Sequence, residues 1–116
     1  MQNRQIKTRE CYAEELAATL DSKFFKVLSE PVRVQILKFL ILNGSSDIAA
    51  IAGSLPQDRS VISRHLRFMY EADILCCEKI SRHTYYQVNA LAFRNKLAGI
   101  ADQITECMCA CCPPER

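Results

Sequence analysis

The chain has 116 residues, which matches one domain, and its formal net charge of +2 neither favours nor excludes a nucleic-acid partner. Hydrophobic residues make up 49% and charged residues 24%, a composition typical of globular domains and not of disordered chains. No apolar run approaches the roughly 20 residues of a membrane span, and the basic N-terminus lacks the apolar segment of a signal peptide. We therefore expect a cytoplasmic protein with no membrane partner.

Three helices are predicted in the first half of the chain. Apolar residues recur at every fourth position within residues 8–28, which predicts a long first helix with one apolar stripe. Pro31 fits the first turn of a second helix over residues 31–42, which is apolar on nearly every side and therefore belongs at the centre of a core. Gly44 provides its C-terminal cap, and a short third helix is predicted to begin at Ser46.

The second half begins with a fourth predicted helix over residues 59–72, which a tight turn connects to the third. Two β-rich runs, residues 74–80 and 83–88, flank a short polar turn and predict a hairpin. A last helix is predicted over residues 89–106. This order of elements is mainly α with a β-hairpin, and it predicts a winged helix–turn–helix fold with the hairpin as the wing.

The whole chain, residues 1–116, is expected to form this single domain. We expect a flexible N-terminus of about residues 1–8 and a cysteine-rich C-terminal tail of residues 107–116. Because a domain this short buries little surface, association into an oligomer would help to stabilise it.

One face of the fourth predicted helix carries arginines and serines but no acidic residue. At about 100° per residue this face spans about 140°, and it consists of Arg59, Ser60, Ser63, Arg64 and Arg67. An α-helix fits the major groove of duplex DNA, where Arg binds guanine and Ser reaches a base or a phosphate. Near the tip of the hairpin, Lys79, Arg82 and His83 would contact phosphate or a minor groove. Such a helix alone is also typical of a solvated surface, but the order of elements favours double-stranded operator DNA as the partner.

Four of the seven cysteines lie close together near the C-terminus, namely Cys107, Cys109, Cys111 and Cys112. Without an export signal, this pattern argues against a disulfide framework. Three thiolates that converge from the tail would form a trigonal site for As(III) or Sb(III), and four would form a tetrahedral site for Zn²⁺ or Cd²⁺. The last helix carries an apolar stripe that continues to Cys107, namely Phe93, Leu97, Ile100 and Ile104. If this stripe is a subunit interface, Cys107 lies close to the partner subunit.

The remaining thiols allow other interpretations. Cys76 and Cys77 are adjacent on a predicted strand, so their side chains face opposite ways and cannot both line one site. A pair of tail thiols that forms a disulfide would make a redox switch, and a disordered end with incidental thiols is the simplest alternative. No nucleophile with a general base and no anion-binding loop is present, so we expect neither an enzyme nor an organic cofactor.

The chain resembles the ArsR/SmtB family of metal-responsive bacterial repressors. The matching segments are residues 25–33 with Ile36 and Leu37, Ile51 and Ala52, residues 63–66, and Tyr85 and Tyr86. The similarity covers roughly residues 24–88. It implies a homodimer formed largely by the first and last helices, repression by operator binding, and release when a metal or metalloid binds.

The chain departs from the known sensors of this family in its ligand residues. Arsenic sensors of the best-known kind carry a Cys-x-Cys pair at positions that align with Asp47 and Ala49, so that site is absent. Zinc and cobalt sensors use Asp and His along the last helix, which here has no histidine. His65 lies within the family motif beside the DNA-binding face, and we interpret it as structural. Cys11 could join the C-terminal cysteines, because the first and last helices share the family's dimer interface.

The sequence therefore predicts a repressor that arsenite or antimonite releases from its operator through the C-terminal cysteines. A redox-sensing repressor of the same fold is one alternative. A cysteine-rich metal-buffering protein that does not bind DNA is the other, and it would show no salt-dependent affinity for duplex DNA.

Overall fold

The computed structural model describes residues 7–111. Within this range the elements, in chain order, are α1 (Arg9–Leu20), α2 (Lys23–Leu28), α3 (Pro31–Asn43), β1 (Ser46–Asp47), α4 (Ile48–Gly53), α5 (Arg59–Glu71), β2 (Leu75–Ile80), β3 (His83–Val88) and α6 (Ala90–Cys111). The strands form one antiparallel sheet in the order β1-β3-β2. No helix among residues 7–111 has both the length and the apolar character that a bilayer crossing requires.

The prediction of one long first helix is wrong, because the chain turns between α1 and α2. The backbone N–H of Asp21 donates to the carbonyl of Ala17 and closes α1, and Ser22 is extended, with φ −75° and ψ 162°, at the start of α2. The Ser22 side chain makes no capping hydrogen bond, so backbone hydrogen bonds and the packing of Phe24 define this turn. The turn lets Phe24 enter the core at 4% exposure, whereas Leu20 stays half exposed.

Helix α3 forms one wall of the core. The sequence predicted that it would be buried on every side, and this prediction is wrong. Ile36, Leu37 and Leu40 are buried, but Ile41 and Leu42 at its end are 72% and 73% exposed. Side chains one and two positions after Leu40 point about 100° and 200° away from it, so the last turn presents apolar groups to solvent. The end of α3 is therefore an apolar surface without a partner in the described chain.

The third helix begins two residues later than predicted, because Ser46 and Asp47 form strand β1. They pair antiparallel with Tyr86 and Tyr85 of β3. Asp47 is also the N-cap of α4, where its side-chain Oδ1 accepts a hydrogen bond from the backbone N–H of Ala50 at 2.9 Å. An N-cap residue has an extended backbone, so it can pair with a strand and begin a helix at once.

The last helix extends beyond the predicted end near Glu106. Helix α6 continues to Cys111, so residues 107–111 belong to it and do not form a tail. Predictions about residues 1–6 and 112–116 lie outside the described residues. The core lies between α3, α4, α5 and the sheet, and its largest fully buried side chains are Ile36, Ile51, Ile62, Leu66, Met69, Ile74 and Leu75.

Gly44 occupies a backbone conformation that only glycine adopts readily, with φ 73° and ψ −161°. A Cβ at this position would meet nothing within 4 Å. We expect Gly44→Ala to destabilise the chain by about 1–3 kcal/mol through backbone strain and not through a clash, as measured by urea unfolding.

Gly99→Ala is the matched control. Gly99 lies inside α6, and a Cβ there also meets nothing within 4 Å. Because Ala favours a helix interior over Gly by about 1 kcal/mol, this variant should be as stable as the wild type or more stable. Equal losses in both variants would show that Gly44 has no special backbone role.

Candidate functional site

One side of α5 is buried and the opposite side is bare. Ile62, Leu66 and Met69 have no exposed surface and fix the rotation of the helix against the core. On the other side, all the polar residues that the sequence singled out are exposed, namely Arg59, Ser60, Ser63, Arg64 and Arg67. The helix therefore presents arginines and hydroxyl groups to solvent along its whole length.

Two concave surfaces join this side of α5 to the sheet. The larger, of about 480 Å³, is lined by Ser60, Ser63, Arg64, Arg67, Tyr70, Cys77 and Tyr86. The smaller, of about 230 Å³, lies at the start of α5, where Arg59 and Ser63 meet Arg82, His83 and Thr84 of the hairpin beside Asp47 and Ile48. Seven of the eight residues predicted to bind DNA thus line two neighbouring grooves. The eighth, Lys79, is exposed on β2 opposite Thr84 and lines neither groove.

Few acidic groups restrain these basic side chains. Arg67 lies 3.9 Å from the Glu71 carboxylate, which also binds the Lys23 ammonium at 3.1 Å. His83 Nδ1 lies 3.6 Å from Asp47 Oδ2. Among residues 7–111, no carboxylate lies within ion-pair distance of the three other arginines of the grooves, which are Arg59, Arg64 and Arg82. These three are available to bind anions.

His65 is a structural residue, as the sequence indicated. The Nε–H of Arg33 donates to His65 Nδ1 at 3.1 Å, and an Nη1–H of Arg33 donates to the carbonyl of Val27 at 3.2 Å. The same guanidinium lies 5.0 Å from the centre of the Phe68 ring. Arg33 therefore joins α2, α3 and α5. The only sequence signal for this role is that Arg33 ends the segment of residues 25–33 that resembles the family.

Of the three C-terminal cysteines that the structure describes, two lie on one side of α6 and the third lies on the other. Cys107 and Cys111, one helical turn apart, are 6% and 7% exposed on the side of α6 that packs against α1. Cys109 is exposed and, at about 100° per residue, lies about 160° from both of them. Among residues 7–111, no group of three or more His, Cys, Asp or Glu side chains is arranged to hold a metal ion. Cys112 lies outside the described residues.

Cys107 and Cys111 instead line a cavity between α1 and α6. It has a volume of about 410 Å³, and its other lining residues are Arg9, Ala13, Leu16, Ala17, Leu20 and Met108. Arg9 donates a hydrogen bond to the carbonyl of Cys111 and so holds the start of α1 against the end of α6.

Cys11 does not line this cavity. Its thiol donates to the Glu15 carboxylate at 3.6 Å, and the Lys7 ammonium binds the same carboxyl group at 2.9 Å. Partial burial, and then the negative charge of Glu15, raise the pKa of the Cys11 thiol. Both effects disfavour the thiolate form that binds metals.

The two strand cysteines differ in their surroundings. The Cys76 thiol donates to the carbonyl of Gln87 at 3.8 Å, whereas Cys77 is exposed in the larger groove beside α5. Strand alternation predicted that they face opposite ways. It could not predict that Cys77 lies beside the arginines, because this depends on how the sheet packs against α5.

The residues of the predicted apolar stripe of α6 differ in how deeply they are buried. Phe93, Ile100 and Cys107 pack within the chain, so Cys107 is not on the open side. Leu97 and Ile104 remain 43% and 38% exposed and form an open face of the helix, whereas Met108, which is 44% exposed, lines the cavity between α1 and α6. An apolar groove of about 730 Å³ continues this open face toward Leu37 and Ile41 of α3.

Comparisons with known proteins agree with this architecture. A family model for bacterial regulatory proteins of the arsR family matches residues 30–75. An uncharacterised HTH-type transcriptional regulator of Methanocaldococcus jannaschii is 31% identical over 67 residues, which cover 58% of this chain and 75% of that protein.

Solved structures show the same fold. A "possible transcriptional regulator for arsenical resistance" superposes with a TM-score of 0.61 at 28% identity, covering 72% of this chain and 84% of the other. A homodimeric winged helix–turn–helix DNA-binding domain from Mycobacterium bovis superposes with a TM-score of 0.60 at 18% identity, covering 92% of each chain. The predicted winged helix–turn–helix architecture is confirmed.

The contact between Arg33 and His65 predicts how the free energy of unfolding depends on pH. Burial, and then the positive charge of Arg33, lower the pKa of His65 below its ordinary value of 6.5. The unfolded chain therefore binds a proton at this residue more readily than the folded chain, so the free energy of unfolding falls as the pH falls below about 6.5. In His65→Gln, whose amide oxygen can still accept from Arg33, this fall should be smaller between pH 7 and pH 5, as measured by urea unfolding.

His83→Gln is the control, because His83 lies at the exposed tip of the hairpin. In His83→Gln, the fall in the free energy of unfolding that His65 causes between pH 7 and pH 5 should remain. If His65→Gln and the wild type lose equal stability on acidification, the contact with Arg33 does not set the protonation of His65.

Proposed function

Because the chain belongs to the arsR family of bacterial regulatory proteins, we propose that it is a transcriptional repressor that a thiophilic metal or metalloid releases from operator DNA. The observation that carries the DNA-binding part is the bare arginine and serine face of α5, which the hairpin extends. The proposed inducer is As(III) or Sb(III), with Cd²⁺ and Zn²⁺ as alternatives, and the proposed ligands come from the C-terminal cysteines. One structural relative is described as a possible transcriptional regulator for arsenical resistance, which supports this choice of ion.

In this proposal, α5 enters the major groove with its buried side turned to the protein core. Arg64 and Arg67 lie in the middle of the exposed face, where an arginine can bind the O6 and N7 atoms of a guanine. Arg59 and Ser63 share the smaller groove with Arg82 and His83 of the wing, so the start of α5 and the wing would bind the same stretch of backbone. Lys79 would add a phosphate contact further along the hairpin.

The proposal requires two copies of the chain. The open face of α6 and the apolar groove that continues it form an exposed apolar surface of the kind that is buried in a protein interface. The homodimeric relative from Mycobacterium bovis supports a second copy of the chain as the partner. Two α5 helices placed about 34 Å apart would then match one turn of a twofold operator.

Release follows from the position of the cysteines. Cys107 and Cys111 lie where α1 packs on α6, so an ion that binds them alters the packing of these two helices. Helix α2 follows α1 and is joined through Arg33 to His65 on α5. A coupling free energy of about 1–3 kcal/mol between the two sites would weaken operator binding about 5–150-fold. Cys112 remains a candidate ligand, and Cys109 would need the end of α6 to unwind.

Arg64→Ala should weaken operator binding by about 1–3 kcal/mol and relax the base preference at one position of each half-site. Gel shifts at two salt concentrations, with the operator and with random duplex, measure both effects. Lys26→Ala removes the same charge from α2, where the side chain is 69% exposed, and should have little effect. Equal affinity of wild type and Arg64→Ala would exclude this face of α5, and the absence of any salt-dependent DNA binding would favour a metal-buffering protein.

Saturating arsenite should raise the apparent dissociation constant of the reduced repressor for its operator by about 5–150-fold. Cys107→Ser should abolish this response, because the thiolate lies at the contact between α1 and α6. Cys76→Ser, a thiol on the hairpin, is the control and should respond like the wild type. A release that needs an oxidant and ignores arsenite would instead support the redox alternative.

A further inference from the structure

Directed contacts between α5 and the other helices are few. The buried apolar side of α5 prevents a large rotation, but hydrophobic contacts have no preferred direction and tolerate a small tilt. Among residues 7–111, two hydrogen bonds reach a side chain of α5 from another helix, from Lys23 to Glu71 at 3.1 Å and from Arg33 to His65 at 3.1 Å. The first joins two exposed side chains, and such ion pairs contribute little. Arg33 therefore supplies the main directed contact to α5.

Arg33 also binds the end of α2. In a continuing helix the Val27 carbonyl would accept from the N–H of residue 31, but Pro31 has no N–H. An Nη1–H of Arg33 donates to this carbonyl at 3.2 Å, and a cation is favourable at the C-terminal end of a helix. Arg33 thus satisfies a backbone group that the sequence leaves without its helical partner.

The Arg33 guanidinium is held in one orientation by these contacts. It donates to His65 and to Val27 from different nitrogens of one rigid plane, so both bonds together fix that plane. It also lies 5.0 Å from the centre of the Phe68 ring, and the guanidinium of Arg67 lies 5.7 Å from the centre of the same ring. A displacement of Arg33 would therefore be felt at the arginine and serine face of α5.

We propose that Arg33 is a positioning residue that sets the tilt of α5 and thereby the preference for one DNA sequence over another. This inference rests on the proposed function, because it concerns how α5 meets a duplex. Attraction between basic side chains and phosphates tolerates a small tilt, whereas the paired hydrogen bonds of an arginine to a guanine require alignment. Loss of Arg33 removes none of the basic side chains of the α5 face, so affinity for unrelated DNA should persist.

The protonation of His65 controls this contact. Its Nδ1 accepts from Arg33, so the imidazole is neutral and carries its proton on Nε2. A proton on Nδ1 would remove the acceptor and place two cations side by side. Burial and then Arg33 lower the pKa of His65, whereas Glu30 raises it and Arg64 lowers it. The sequence preference of the wild type should therefore decrease between about pH 7 and pH 5.

The test uses two dissociation constants for each variant. One is for the duplex that the wild type selects from a random-sequence pool, and the other is for an unrelated duplex of the same length. Partial unfolding weakens both equally, so their ratio does not depend on the folded fraction. In Arg33→Ala the ratio should decrease at least about tenfold, while affinity for the unrelated duplex should change less than about threefold. Lys38→Ala removes the same charge from an exposed position of α3 and should keep the wild-type ratio.

Further variants separate positioning from general support of the fold. Arg33→Lys keeps the charge but cannot make both hydrogen bonds from one plane, so it should resemble Arg33→Ala. The pH series is measured in a His83→Gln background, because His83 lies on the proposed interface. There, His65→Gln keeps an acceptor for Arg33, so its ratio should exceed that of His65→Leu and should not decrease between about pH 7 and pH 5.

The possible failures are distinguishable. If Arg33→Ala weakens the binding of both duplexes equally, Arg33 supports only the fold, and this inference is overturned while the proposed function stands. If Arg33→Ala keeps the ratio and His65→Leu loses it, His65 contacts DNA itself, and the inference is also overturned. If the wild type shows no salt-dependent binding to any duplex, the proposed function is overturned and this inference with it.

Discussion

The burial of one side of α5 determines where the exposed arginines and serines of α5 and the adjoining hairpin are placed. Ile62, Leu66 and Met69 lie at successive turns with no exposed surface, so the helix cannot rotate without opening the core. Their position fixes which way the arginines and serines point. The sheet packs beside the same helix, and the grooves that join α5 to the hairpin follow from that packing. The geometry available to DNA is thus set by apolar residues that never contact it.

The sequence predicted this part of the molecule well, because its signal is local. The period of α5 separates Ile62 and Leu66 from Ser63 and Arg67 within one helix, and no distant contact is needed to interpret it. The hairpin is equally local, since Ile80 and His83 pair directly across two residues. For such elements, the local pattern of apolar and polar residues is sufficient to predict which side chains are buried.

The errors arose where a tertiary contact decided between two local options. Residues 8–28 have one continuous helical period, yet the chain turns at Asp21 and Ser22 so that Phe24 can enter the core. Strand β1 has two residues and becomes a strand only because β3 lies beside it. The α6 stripe is one surface, as predicted, but its residues differ in burial: Phe93 and Ile100 pack on the core, whereas Leu97 and Ile104 stay partly exposed, and only the packing of the rest of the chain decides this.

Because α6 continues through Cys111, the spacing of Cys107 and Cys111 in the sequence fixes the angle between their side chains around the helix axis. On a helix, two thiols four positions apart lie about 40° apart, whereas on a coil their relative direction would be free. An insertion or deletion of one residue between Cys107 and Cys111 would therefore turn one sulfur by about 100° around the axis. A change in the length of this short segment would therefore separate two thiols that now line one cavity.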